Sequence, residues 1–82
     1  MIGKTAIYWG DKYGMKPGHK VQIRAIMPAD GRYLTDESQL ETWKPGPGDR
    51  VEVRPWISEE GRFSWVTSDP LLADVQVLPE RG

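Results

Sequence analysis

The chain has 82 residues, with 11 Lys or Arg, 12 Asp or Glu, one His and no Cys, giving a formal net charge of −1. That length supports one small domain with a limited core; with no cysteine and a lone histidine, neither a disulfide framework nor a Cys/His zinc site can brace it. Near-neutral charge argues against a dedicated duplex-DNA binder, whose affinity is dominated by phosphate neutralisation.

No apolar run approaches the length of a membrane span, and the first residues lack the apolar segment of a signal peptide. The expectation is a cytoplasmic protein without membrane contact, stabilised by plain packing or by self-association. The charge is uneven: Lys4, Lys12, Lys16, Lys20 and Arg24 stand against Asp11 in the first 24 residues, while the remainder holds six basic and eleven acidic residues. Either a basic face or a solvated surface of mixed sign follows. Four tryptophans suit core anchors and binding surfaces alike.

Residues 4–9 (KTAIYW) are rich in β-formers and predict a first strand. Residues 10–18 (GDKYGMKPG) have the glycine, proline and polar content of a loop, and a loop this long is often functional. Residues 20–27 then alternate, with Val21, Ile23, Ala25 and Met27 on one face and Gln22, Arg24 and Ile26 on the other, the period of a half-buried strand. Ala29, Asp30 and Gly31 form a three-residue turn with a bulge at Gly31. That turn sets Met27 opposite Tyr33, Ala25 opposite Thr35, and Arg24 opposite Asp36 as an outer cross-strand pair.

The same hairpin is written again thirty residues later. Residues 17–38 and 47–68 align without a gap, with seven identities in 22 positions. Self-similarity at a fixed period bears directly on architecture. In the second copy Val51, Val53, Pro55 and Ile57 face inward, with Phe63 and Trp65 opposite. Glu52, Arg54, Trp56, Arg62 and Val66 face out, and Glu59, Glu60 and Gly61 form the matching turn. Pro55 lacks an amide proton, which implies an edge or a bulge at that point.

A helical turn is expected after each hairpin. Ser38 and Glu41 fit a capping box; Asp69 and Pro70 fit a cap followed by the first helical position. Trp43 is placed to close one end of the core, and residues 44–49 (KPGPGD) read as a stiff connector. Residues 73–78 alternate as a closing strand, and residues 79–82 as a frayed tail.

The expected fold is therefore all-β: a small SH3-like barrel of five to six strands in a single domain, 1–82, built on two homologous hairpins with short helical turns only. An OB-like barrel is the alternative, and exposed edges allow a strand-paired or swapped dimer. Gly48, Asp49, Arg50, Val51, Glu52 and Val53 resemble the opening of KOW-type and related SH3-like domains, where a Gly-Asp turn feeds an alternating strand. The resemblance covers six residues. The chain departs from that pattern where Pro55, Trp56 and Ile57 stand in place of an expected glycine, so nucleic-acid or ribosome-related function is not carried over.

No catalytic constellation stands out. His19 would have to serve as the base for one of Ser38, Ser58, Ser64 or Ser68, yet it aligns with Asp49 in the repeat and reads as a polar residue before a strand. Asp36 and Glu37 alternate across a strand, Glu59 and Glu60 share a turn, and Gly46–Gly48 lacks the strand–turn–helix context of a phosphate loop. The expectation is a non-enzymatic protein without cofactor or metal.

Binding has better support. Arg24 matches Arg54 and Arg32 matches Arg62 between the copies, while Ile26 and Trp56 share an outward position. Side by side, the hairpins would gather Arg24, Arg32, Arg54, Trp56 and Arg62. Such a face suits a protein partner or a second copy. Its alternative use is single-stranded nucleic acid; its structural use is pairing with Asp36, Glu52, Glu59 or Glu60. The 10–18 loop is a second candidate surface, and a small-ligand pocket walled by Tyr8, Trp9, Tyr13 and Trp43 is a further alternative.

Overall fold

The computed structural model describes residues 1–79. Five antiparallel strands, β1 (Thr5–Tyr8), β2 (His19–Met27), β3 (Arg50–Ile57), β4 (Arg62–Phe63) and β5 (Val75–Val77), make one sheet in the order β4-β3-β2-β1-β5. The only helical elements among the described residues are two 3₁₀ turns, Glu37–Thr42 and Leu72–Asp74. The all-β expectation holds, and the sheet is open rather than closed on itself. The expected tail at residues 80–82 lies outside the described residues. Among the described residues no helix is long and apolar enough to cross a membrane.

The first strands of the two sequence copies are direct neighbours. β2 pairs with β3 through Val21–Pro55, Gln22–Arg54 and Ile23–Val53. A bulge between Ile23 and Ala25 then shifts the register, so that Ala25 meets Glu52 and Ile26 meets Val51. An inserted residue reverses the alternation beyond it. Ile26, expected to face out, is therefore fully buried, and it bridges Leu34, which is buried too. The Ile26–Leu34 bridge keeps the register of the expected first turn, but its return strand shrinks to that single bridge. Tyr33 and Thr35, expected inside, lie exposed. Arg24 meets Glu52, not Asp36.

The second hairpin differs from the expectation by one residue. Ile57 pairs with Arg62 and Trp56 with Phe63, a four-residue loop closed by the Gly61 amide on the Ile57 carbonyl at 2.9 Å. A slip of one residue exchanges the two faces of a strand. Phe63 and Trp65 consequently stand on the outer side of β3 with Trp56 and Arg54, not in the core.

Pro55 lies neither on an edge nor in a bulge of its own strand, since β3 is paired with β2 through Val21 and receives Ser64 on its other side; the irregularity falls on the partner strand. Ser64 donates to the Pro55 carbonyl at 2.7 Å and the next bridge is Val53–Ser68, so residues 65–67 bulge away where β3 has no amide to offer. Residues 68–71 then run along β3 through a bridge between Arg50 and Leu71, and the chain passes over the second 3₁₀ turn to β5 on the far edge of β1.

Both helical turns begin elsewhere than expected. The first is capped by Asp36, which accepts from Ser38 N while Gln39 Oε1 accepts from Asp36 N. The capping box is thus present two residues early. Pro70, expected in a first helical position, is buried and gives its carbonyl to Val51 N at 3.0 Å, which holds residues 68–71 extended and delays the second turn to Leu72.

The core collects Ala6, Tyr8, Met15, Val21, Ile23, Ile26, Leu34, Trp43, Val51 and Val53. Trp43 closes one end and donates its indole N–H to Asp49 Oδ2 at 3.0 Å. Asp49 also accepts from Ala29 N at 2.9 Å and Gly46 N at 2.8 Å, tying the long β2–β3 connection to the start of β3. Those backbone donors favour the ionised carboxylate and hold its pKa below the usual aspartate value.

Candidate functional site

Two neighbouring surfaces meet at the 65–67 bulge. The first is the outer face of β2 and β3, where side chains fall into three rungs. In one, Lys20 Nζ lies 4.0 Å from the centre of the Trp56 ring, and Phe63 meets Trp56 edge-on at 5.1 Å. In the next, Gln22 faces Arg54 across the strands, and the Arg54 guanidinium lies 4.4 Å from the centre of the Trp65 ring. In the third, Glu52 receives both Arg24 Nε at 3.2 Å and the Tyr33 hydroxyl at 2.7 Å. The bond to Glu52 raises the Tyr33 pKa, because removing the phenol proton would place two anions together.

Arg54 is fixed by the backbone. Its Nε donates to the Ser64 carbonyl at 2.8 Å and its Nη1 to Gln22 Oε1 at 3.2 Å. In an antiparallel hydrogen-bonded pair each residue both donates and accepts. Ser64 donates to Pro55, and the Ser64 carbonyl is the group that an amide at position 55 would serve. Arg54 supplies the missing donor. It thereby holds Trp65 against the sheet although 76% of that residue's surface is exposed.

The structure separates the five residues of the first candidate set. Arg24, Arg54 and Trp56 share the outer face. Arg32 and Arg62 sit in or beside the two turns, each against an acidic neighbour, Asp30 and Glu60 respectively. A ring of four arginines around one tryptophan does not form. The cations next to the indoles are Lys20 and Arg54, and among the described residues neither is paired with a carboxylate.

The second surface is a groove of about 380 Å³. It is lined by Tyr13, Gly14 and Met15 from the 10–18 loop, by His19, Pro55 and Ile57 from β2 and β3, and by Ser64, Val66 and Ser68. His19 Nε2 donates to the Trp56 carbonyl at 3.0 Å, ending the β2–β3 ladder where backbone pairing stops. Tyr13 has φ +60, the one non-glycine residue with positive φ among those described, a conformation that side chains resist. Its hydroxyl lies 3.4 Å from the Asp69 carbonyl, and Arg50 Nη1 reaches both groups.

The second candidate set, Tyr8, Trp9, Tyr13 and Trp43, does not line a common pocket. Tyr8 and Trp43 are buried in the core, Trp9 is exposed with its indole N–H on Gln76 Oε1, and Tyr13 alone enters the groove. Tyr8 and Tyr13 also border a space of about 70 Å³, too small for most ligands. Among the described residues no group of His, Asp and Glu is arranged to hold a metal ion.

Lys20, Phe63, Trp65 and Val66 entered neither candidate set. Lys20 reaches Trp56 through the β2–β3 pairing, whereas the places of Phe63, Trp65 and Val66 depend on the Ile57–Arg62 register, which the Glu59-Glu60-Gly61 turn leaves open by one residue. The lack of an amide at Pro55 was the available sign that the partner strand would bulge there. Comparison of the chain with protein-family models, with characterised proteins and with solved structures finds no match.

Proposed function

We propose that the chain is a single-domain, non-enzymatic interaction module with the architecture of a small SH3-like barrel, contacting a protein partner or a second copy of itself. The strand order and the 3₁₀ turn before β5 support the architecture. The observation that carries the function is the bulge. Trp65 and Val66 are adjacent, 76% and 77% exposed, and border the outer face and the groove respectively. Tryptophan and arginine are among the residues most enriched at interface hot spots. Trp65 is also pre-ordered by Arg54, so little conformational freedom is lost when it is covered. The strained Tyr13, which lines the same groove as Val66, supports the same location.

A display selection of random peptides, combined with sedimentation of the free protein over a range of concentrations, tests this reading. The expected result is an enriched peptide set, or a concentration-dependent dimer, that is lost on Trp65→Ala. A monomer at all concentrations that enriches no peptide overturns it. The second reading, single-stranded nucleic acid, is supported by the Lys20–Trp56 and Arg54–Trp65 pairs, since stacking surfaces beside cations suit bases and phosphates.

A further inference from the structure

We propose that the two cation–indole pairs of the outer face form a docking strip for an extended acidic segment of a partner protein, an inference that rests on the interaction reading above. The first support is charge. Arg24, Arg32 and Arg62 each have a carboxylate partner, whereas Lys20 and Arg54 have none among the described residues. A ring beneath an ammonium group leaves its N–H donors available, and a guanidinium has five donors. Arg54 commits one to Ser64, one to Gln22 and a long one to the Phe63 carbonyl at 3.5 Å, which leaves two.

The second support is spacing. Arg54 faces Gln22, and Lys20 and Trp56 each lie two residues further along their own strands on the same face. Two residues of extended chain span about 7 Å. A peptide lying along the strip also presents alternate side chains on one face about 7 Å apart. Acidic residues at two alternate positions meet Lys20 and Arg54 together, and an apolar neighbour packs on Trp65.

The third support separates a short acidic segment from a long polyanion. Glu52 stands beyond the Arg54 rung, and Glu59 and Glu60 occupy the turn beyond Trp56. A nucleic-acid strand continuing past the two cations meets the Arg24–Glu52 and Arg62–Glu60 pairs, whose cations are already engaged, whereas a short acidic segment needs only the two cations of the strip.

The test follows the four indole N–H signals of the full chain by NMR. The probes are a short peptide of alternating Glu and Val, its Gln-for-Glu analogue, and a short oligouridylate. The Glu peptide is expected to move the Trp56 and Trp65 signals while leaving buried Trp43 in place, and the Gln analogue to move neither. Lys20→Gln weakens the Glu peptide about two- to five-fold; its unshifted Trp43 signal verifies the fold. Trp65→Ala weakens it about tenfold or more. Equal response to the Gln analogue, displacement of the Glu peptide by oligouridylate, or no response to the Glu peptide overturns the proposal. If the display selection still enriches peptides that depend on Trp65, the interaction reading stands without the acidic specificity.

Discussion

Ile23 and Val53 occupy the same place in the two sequence copies and face each other directly across β2 and β3. Antiparallel pairing between repeat mates places a local two-fold relation at that point. On one side of it Val21 meets Pro55, so symmetry would bring Ala25 to Val51 on the other. The bulge supplies Ile26 to Val51 instead. The copies are related by pairing, and one inserted residue breaks the relation.

The turn at Gly61 has φ +65, and a Cβ there would meet nothing within 4 Å, so only the backbone conformation opposes substitution. Gly61→Val is expected to destabilise by about 1–2 kcal/mol, since a β-branched residue resists the left-handed region. Gly46 is also unobstructed but does not have positive φ, so Gly46→Ala serves as the nearly neutral control. Thermal melts of both variants check the turn. An unchanged melting temperature for Gly61→Val would remove the basis for it.

Arg54 and Pro55 should be coupled. Arg54→Gln is expected to cost about 1–2 kcal/mol by stripping a charged donor from the Ser64 carbonyl. In a Pro55→Ala background the restored amide takes that role, so the same change should cost about 0.5–1.5 kcal/mol less. A double-mutant cycle by denaturant unfolding measures the difference. Strict additivity would contradict the assignment of Arg54 as the substitute donor.

Asp49 gives the fold a pH dependence of definite sign. Its folded pKa lies below that of an ordinary aspartate, so the unfolded chain takes up its proton first as pH falls. The stabilisation is complete above the unfolded value and is lost as pH drops through the folded one. Melting temperature should fall with acidification across the acidic range, and Asp49→Asn should flatten that dependence while lowering stability at neutral pH. Parallel pH profiles for the two proteins would show that Asp49 is not responsible.

At Gly10 space is the constraint. A Cβ there would overlap the Tyr8 ring and hydroxyl. Tyr8 is buried, and its hydroxyl accepts from Lys12 N at 3.2 Å. Gly10→Ala is expected to destabilise by about 1–3 kcal/mol through overpacking. Tyr8→Phe removes only the oxygen, so combining it with Gly10→Ala should recover part of the loss in a melt.

Much of the sheet was legible because alternation and turn residues are local signals. β1, β2, β3 and the 10–18 loop follow directly from them, and the repeat pointed to neighbouring hairpins. What escaped is set by single-residue register. The bulge between Ile23 and Ala25 turned Ile26 inward, and the longer second loop turned Phe63 and Trp65 outward. Neither change alters composition or period enough to be visible in the chain. The candidate surface was legible in its ingredients, arginine and tryptophan on one face. Its cations were not, because a charged residue's partner depends on tertiary geometry. Arg62 found Glu60 beside it, while Lys20 lies over the Trp56 ring with Phe63 beyond it.

The pairing of Ile23 with Val53 also bears on how such a chain could arise. Neighbouring strands that are copies of one another present the same edge to each other, which is the geometry of two identical molecules meeting across a dyad. A half-length ancestor bearing one copy would already hold the complementary edge needed to assemble as a pair. Fusing two such genes end to end would turn that assembly into a single polypeptide. Each half would then be free to differ from the other, as Ala25 does from Pro55, with the effect confined to one side of the pair.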